Sequence, residues 1–310
     1  MPDAPDRKDV NLRVGERDFK YYIFDWDDNI LHMPTRIHLE YRRPEDGVWV
    51  PRKVSTSFYA MVRNDTAHYR APGGNWENAF IEFQDQDQPC ESKFLTDTRT
   101  ALLRVLSGEE PPAPSFETLR ETLREGRLFA IVTARGHEPE SLRRAVELFI
   151  ETVLTPDEKR EMLRNLRGYR ACFDGVTEFG TDAEELDYYL SLNRYHAVTN
   201  PKFRTWVESQ TKGEIDRTKL SERAKQFAIR DFVEHVIHII TKIGGNQLNR
   251  PVSVGFSDDD IRNVEVVEHY IRDELGKRFH GIKFCVYDTS DPALTDGRKV
   301  IVSGQLDLGF

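Results

Sequence analysis

The chain has 310 residues and a formal net charge of −9 at pH 7, and 38% of its residues are hydrophobic and 31% charged. This composition is typical of a soluble globular protein, and no apolar run approaches the roughly 20 residues that a membrane-spanning helix requires. The acidic balance makes the chain a poor candidate for broad binding to nucleic acid. Cys90, Cys172 and Cys285 are widely spaced and odd in number, so they predict no disulfide framework and favour a reducing, cytoplasmic compartment.

Strands and helices alternate along the chain after a polar segment, residues 1–18, that predicts a flexible lead-in. Short apolar runs, typical of buried parallel strands, are FKYYIFD (19–25), RLFAIVT (127–133), PVSVGFS (251–257), IKFCVYD (282–288) and KVIVSG (299–304). Apolar stripes with helical spacing occur at 139–154, 221–243 and 260–275. This alternation predicts an α/β fold with a doubly wound, Rossmann-like parallel sheet.

The spacing between the predicted strands is uneven. About one hundred residues separate the first two strands, far more than a crossover connection requires. Residues 33–95 are rich in aromatic and turn-forming residues and predict a β-rich insert, and residues 155–220 predict a second, helical or mixed insert or lid. The predicted core then consists of residues 19–32, 96–154 and 221–310, with the two inserts acting as a cap.

Acidic and hydroxyl side chains follow the ends of three predicted strands. The first strand ends in Asp25–Asn29, the second in Thr133–His137 and the third in Ser257–Asp260. Because ligands of doubly wound sheets bind beyond the carboxyl ends of the strands, we expect these side chains to converge. Converging carboxylates favour a hard divalent cation such as Mg²⁺. An aspartate can also attack phosphorus, and a second acid can protonate the leaving group.

The segments FDWDDN, AIVTARG and GFSDDDIRN resemble motifs one, two and four of the haloacid dehalogenase superfamily, in the right order and each after an apolar strand. The resemblance covers roughly residues 19–32, 125–150 and 221–290. It implies Mg²⁺-dependent phosphoryl transfer through an aspartyl-phosphate. The presence of Asp27 argues against the dehalogenase branch, which lacks that acid.

The resemblance also implies roles for five acidic and hydroxyl residues. Asp25 would be the nucleophile and a metal ligand, and Asp27 the general acid and base that offers its backbone carbonyl to the metal. Thr133 would hydrogen-bond the transferred phosphoryl group. Asp258 would complete the protein ligands to Mg²⁺, with Asp259 as a further candidate.

Further side chains are candidates for contact with the phosphate or the substrate. Arg135 and Asn263 are predicted to bind substrate. The superfamily also needs a lysine, for which Lys225, Lys242 and Lys202 compete. Geometry favours Lys225, because the amino end of its helix should lie at the carboxyl edge of the sheet.

Simpler interpretations stand beside these predictions. Asp25 and Asp27 could be ordinary turn residues, Thr133 could cap a helix, and Asp258–Asp260 could form an N-cap. Asn29 departs from the motif, which often has Thr or Val there.

The predicted function is hydrolysis of a phosphorylated small molecule, without membrane or nucleic-acid partners. The alternatives are a catalytically idle binding or scaffold protein and a phosphatase of nucleotide or nucleic-acid ends.

Overall fold

Two β-sheets organise the chain, which a computed structural model describes over residues 12–85, 92–210, 220–244, 250–291, 294 and 297–303. The strands are β1 (Phe19–Phe24), β2 (Ile37–Arg42), β3 (Trp49–Val54), β4 (Tyr69–Arg70), β5 (Phe129–Thr133), β6 (Arg194–Ala197), β7 (Val252–Asp258), β8 (Ile282–Asp288) and β9 (Arg298–Ser303). The helices are α1 (Thr56–Val62), α2 (Trp76–Ala79), α3 (Lys93–Ser107), α4 (Phe116–Arg124), α5 (Pro139–Val153), α6 (Pro156–Tyr169), α7 (Asp182–Leu192), α8 (Pro201–Gln210), α9 (Leu220–Gly244), α10 (Ile261–Tyr270) and α11 (Gly276–Arg278).

The larger sheet has six strands in the order β6-β5-β1-β7-β8-β9. The first five of these strands run parallel, and only the edge strand β9 is antiparallel to its neighbour β8. The chain therefore fills one half of the sheet from β1 outwards, and then returns to fill the other half. This confirms the predicted α/β class with a mostly parallel sheet, an arrangement compatible with a Rossmann-like fold.

Alternate residues of the central strands enter two separate cores. Phe24 of β1 and Ile131 of β5 pack into a core with α3 to α7, whereas Ile23 and Val132 pack on the other face with α8, α9 and α10. Side chains on both faces are therefore removed from water, which explains why these strands are continuous apolar runs rather than alternating ones. The result is a sheet covered by helices on both faces.

The prediction of a second insert over residues 155–220 was wrong. Within this stretch β6 pairs in parallel with β5, and so extends the main sheet by one strand. Met162 of α6 and Leu190 of α7 lie in the same core as α5. Helix α6 packs on α4 and α7, and Tyr189 of α7 contacts Phe129 of β5, so both helices are part of the main core rather than of a separate lid. Residues 211–219 of the predicted insert lie outside the described residues.

The structure also moves the predicted ends of the N-terminal lead-in and of the β-rich insert. The predicted lead-in is not free as far as residue 18, because Arg17 is buried and donates hydrogen bonds to Leu12 O and Asn165 Oδ1, at 3.2 and 3.5 Å. Residues 1–11 lie outside the described residues, as does Cys90. At the end of the predicted β-rich insert, Phe94 and Leu95 belong to α3 and to the main core.

The segment between β1 and α3 contains the second sheet. Its antiparallel strands have the order β3-β2-β4, and α1 and α2 pack near them. It has a small core of its own, formed by Ile37, Leu39, Val54, Ala71, Ala79 and Phe83. We call the stretch from Thr35 to Phe83 the insert.

Candidate active site at the carboxyl edge of the sheet

The predicted site residues meet where the strand order reverses. Strand β1 lies between β5 and β7, so the connections after β1 and its neighbours diverge and leave a crevice at the carboxyl edge. The backbone N–H of Asp25, directly after β1, donates to Ser257 O in β7 at 3.0 Å. The fold thus brings together motifs that lie more than 200 residues apart.

Three carboxylates form an acidic cluster at this edge. One oxygen each of Asp25, Asp258 and Asp259 lies within 4.8 Å of the others, and Asp25 and Asp258 are buried. Burial raises the pKa of Asp25 well above its usual range, and the charges of Asp258 and Asp27 add to this effect. Burial and the charges of Asp258 and Asp25 likewise raise the pKa of Asp259. Burial and mutual repulsion therefore both disfavour the ionised form of the carboxylates in the cluster.

Lys225 supplies the positive charge nearest to the cluster. Its Nζ donates to Asp258 Oδ2 at 2.6 Å and to Asp25 Oδ1 at 3.4 Å, and the side chain is buried. Burial disfavours the ammonium ion, but the charges of Asp25 and Asp258 outweigh this and raise the pKa of Lys225. Lys225 therefore stays charged at the site. Its single positive charge does not balance the three carboxylates of the cluster.

The two competing lysines lie elsewhere. Lys202 is mostly exposed and pairs with Glu138 at 2.9 Å. Lys242 lies near the other end of α9, where it lines a cavity of about 450 Å³ together with Phe19 at the amino end of β1. This cavity is at the opposite edge of the sheet from the acidic cluster. The orientation of α9 therefore selects Lys225, as the helix polarity predicted.

The N-cap of α10 is Asp260 rather than the other acids of its motif. Its side chain accepts a hydrogen bond from Arg262 N at 3.1 Å. Asp258 Oδ1 accepts from Asp260 N and from Asn263 Nδ2, both at 3.0 Å. Asn263 thus orients a carboxylate of the cluster, and its predicted contact with substrate stays a prediction.

Arg135, which the sequence predicted as a substrate ligand, is paired with Asp27 inside the protein instead. Its guanidinium is fully buried and pairs with both oxygens of Asp27, from Nε to Oδ2 at 2.7 Å and from Nη2 to Oδ1 at 2.6 Å. A buried guanidinium needs such a partner, because an unpaired charge in the interior is strongly destabilising. Asp27 is thus neutralised separately, and the excess negative charge remains on the acidic cluster.

The hydroxyl of Thr133 is buried and has no partner in the part of the chain that the structure describes. The residue lies at the end of β5. It does not cap α5, since Asp85 Oδ2 accepts from Glu138 N at 2.7 Å at the start of that helix. A buried hydroxyl without a partner costs about 1–3 kcal/mol, so Thr133 is suited to binding an added acceptor.

Asn29, the departure from the motif, joins the strand ends behind the cluster. Its Nδ2 donates to Asp25 O at 3.0 Å, to Ser257 Oγ at 2.9 Å and to Ser257 O at 3.3 Å. Its Oδ1 accepts from Ser115 Oγ at 2.9 Å and from Thr289 Oγ1 at 3.0 Å. The residue is fully buried, so an amide that can donate and accept at once fits this position.

The insert touches the same edge of the sheet. Thr56 Oγ1 in α1 donates to Asp28 Oδ2 at 2.6 Å, and Arg63 Nη2 lies 3.7 Å from Asp260 Oδ2. Asp28 has a positive φ of 53°, a conformation that Asp tolerates better than most residues. These contacts hold the insert next to the loops that carry the acidic cluster.

Sequence reasoning noted Asn29 only as a departure from the motif, and it missed the other residues that support the site from behind. Thr35, which accepts from Arg135 Nη2 at 2.8 Å, and Asp97, which accepts from Thr35 at 2.7 Å, give no local signal, because their partners are distant in sequence.

No protein-family model, curated protein or solved structure matches this chain. None of the helices within the described ranges is both long enough and apolar enough to cross a membrane. The resemblance to the haloacid dehalogenase superfamily therefore rests on the three motifs and on their meeting at one edge of the sheet.

Proposed function

We propose that this chain is a Mg²⁺-dependent phosphomonoester hydrolase of the haloacid dehalogenase type, with Asp25 as nucleophile. The observation that carries the proposal is the acidic cluster itself. Asp25, Asp258 and Asp259 bring three carboxylates together beside Lys225. Thr133, at the end of the neighbouring strand β5, has a buried hydroxyl without a partner among the described residues. This combination suits the binding of a cation and of a phosphoryl group.

The donor set fits Mg²⁺. Carboxylate oxygens are the ligands that this ion prefers. Burial first, and then the neighbouring carboxylates, raise the pKa values of Asp25 and Asp259, and a bound cation would stabilise the ionised form of both. Asp25, Asp258 and Asp259 would hold it, and the Asp27 carbonyl stays a predicted ligand. When bound, Mg²⁺ would offset the repulsion between the nucleophile and the phosphate.

The reaction would proceed in two steps. An Asp25 carboxylate oxygen attacks phosphorus, the bond from phosphorus to the leaving oxygen breaks, and Asp27 gives that oxygen a proton. Asp27 then takes a proton from water, the water oxygen attacks phosphorus, and the bond to Asp25 breaks to release phosphate. Lys225 holds Asp25 and balances charge, and Thr133 donates to a phosphoryl oxygen. Both aspartates return to their starting state.

The test is release of phosphate from p-nitrophenyl phosphate with and without Mg²⁺, for the wild type and Asp25→Asn. Asp187→Asn is the matched control, because this aspartate is mostly exposed. We expect metal-dependent turnover in the wild type and the control, and none in Asp25→Asn. Full turnover by Asp25→Asn would contradict the mechanism.

One observation favours a second candidate, a catalytically idle binding protein of the same fold. Both oxygens of Asp27, the proposed acid and base, are bound by Arg135. Such a protein would be stabilised by Mg²⁺ against heat but would release no phosphate from any ester. The same assay, run beside a thermal unfolding measurement with and without Mg²⁺, separates the two candidates.

A further inference from the structure

We propose that Arg135 is a positioning residue for Asp27, and that Thr35 links this positioning to the docking of the insert. The inference rests on the proposed phosphatase function. It concerns how the chain aligns its acid and base, and it replaces the contact between Arg135 and substrate that the sequence predicted.

The ion pair fixes the carboxylate of Asp27. Two charge-assisted hydrogen bonds of 2.6 and 2.7 Å tie both oxygens to one guanidinium. A carboxylate has about four lone-pair positions, so each oxygen keeps one that Arg135 does not use. The Asp27 side chain is 13% exposed, whereas that of Arg135 is 1% exposed. Asp27 can therefore meet a substrate that Arg135 cannot reach.

Arg135 is itself held on several sides. Its guanidinium carbon lies 4.7 Å from the ring centroid of Phe83 and 4.7 Å from that of Phe94. Its Nη2 also donates to Thr35 Oγ1 at 2.8 Å, and this hydroxyl donates onward to Asp97 Oδ2 at 2.7 Å. A side chain restrained in this way keeps one orientation, which is what a support for a catalytic group requires.

These restraints come from two parts of the fold. Phe94 and Asp97 belong to α3, whereas Thr35 lies just before β2 and Phe83 packs in the small core of the insert. Arg135 therefore has its full set of contacts only while Thr35 and Phe83 of the insert lie against it. The position of the insert is transmitted to Asp27 through one buried side chain.

The experiment compares the variants Arg135→Lys, Thr35→Val and Asp27→Asn on two esters, p-nitrophenyl phosphate and an alkyl phosphate such as glycerol 2-phosphate. An alkoxide leaves far less readily than a nitrophenolate, so its departure depends more on a well-placed acid. Lysine keeps the positive charge but cannot form the bidentate pair. Misalignment of a catalytic group can cost on the order of 100-fold.

We expect Arg135→Lys to lower kcat for the alkyl ester by about 10- to 100-fold and for the aryl ester by only a few fold, with KM little changed. Thr35→Val should show the same pattern more weakly. Adding Arg135→Lys to Asp27→Asn should have no further effect, because the two residues act as a unit. Thr98→Val is the matched control, since Thr98 is buried on α3 and its hydroxyl has no partner within the described residues.

Each other result overturns the inference in a different way. An equal loss on both esters would show a purely structural role, and a rise in KM alone would restore the predicted contact with substrate. If Arg135→Lys left kcat and KM unchanged for both esters, Arg135 would have no role in positioning Asp27. A folded wild type that hydrolyses neither ester with Mg²⁺ would overturn the proposed function, and this inference with it. Thermal unfolding of every variant separates these outcomes from loss of the fold.

Discussion

The buried amide of Asn29 offers a quantitative test of how the site is built. Replacement by Leu keeps much of the side-chain volume but removes five hydrogen bonds, to Asp25, Ser257, Ser115 and Thr289. The carbonyl of Ser257 keeps a second donor, the N–H of Asp25. At least four bonds are then lost without replacement in a fully buried environment.

The expected loss of stability follows from these contacts. A hydrogen bond contributes a net 0.5–1.5 kcal/mol on average, so four give about 2–6 kcal/mol. The hydroxyls can rotate towards other acceptors, which places the expectation near 3 kcal/mol. With an m-value of about 3 kcal/mol per molar urea for a chain of this size, the midpoint should fall by about 1 M.

The assay is urea unfolding followed by circular dichroism in the absence of Mg²⁺. Asn78→Leu is the control, because Asn78 is exposed and its side-chain Nδ2 makes a single long hydrogen bond within the described residues, to Pro72 O at 3.5 Å. It should shift the midpoint by less than about 0.2 M, as surface substitutions usually do. A loss below 1 kcal/mol in Asn29→Leu would refute the view that this amide joins the strand ends.

Further predictions concern the charges at the edge of the sheet. Lys225→Met removes the buried counter-charge and should destabilise the metal-free protein by about 3–5 kcal/mol, with part of the loss restored by Mg²⁺. Asp259→Asn removes one of the repelling carboxylates and should stabilise the metal-free protein. Mg²⁺ at 100 times its Kd would stabilise the wild type by about 2.7 kcal/mol, and the variant should gain less than this. His137 is fully buried, and burial together with the charge of Arg135 lowers its pKa to about 3. The folded state therefore favours neutral His137. The free energy of unfolding has its full contribution from this residue above the unfolded pKa of about 6.5 and loses it as the pH falls towards 3. At pH 5 the loss should be about 2 kcal/mol. His137→Phe should remove that part of the pH dependence.

Matched substitutions control these measurements. Lys242→Met changes an exposed lysine of the same helix, α9, and should leave stability and the Mg²⁺ response unchanged. His269→Phe changes an exposed histidine and should leave the pH dependence as it is in the wild type. Equal effects of Lys225→Met and Lys242→Met would contradict the placement of Lys225 in the cluster. A wild-type slope between pH 7 and 5 in His137→Phe would show that another group causes it.

The sequence by itself determined the central sheet and the acids that follow its strands. Strand β1 is an apolar run buried on both faces, which is a pattern that depends only on local composition. Asp25 and Asp258 could be placed at one edge because parallel strands end there together. Helix polarity likewise placed Lys225 beside them, since the direction of α9 follows from the strands that it connects.

The tertiary structure decided what depends on partners distant in sequence. Strand β6 is only four residues long and has polar residues at alternate positions, so it is a strand because it pairs with β5. Arg135 had a suitable chemistry for phosphate, and only packing shows that Asp27 takes its charge. Asn29 looked like a departure from a motif, yet four of its five hydrogen bonds reach residues 86, 228 or 260 positions away. Local pattern encodes burial and strand ends, whereas the pairing of buried polar groups is set by three-dimensional proximity, which no spacing along the chain records.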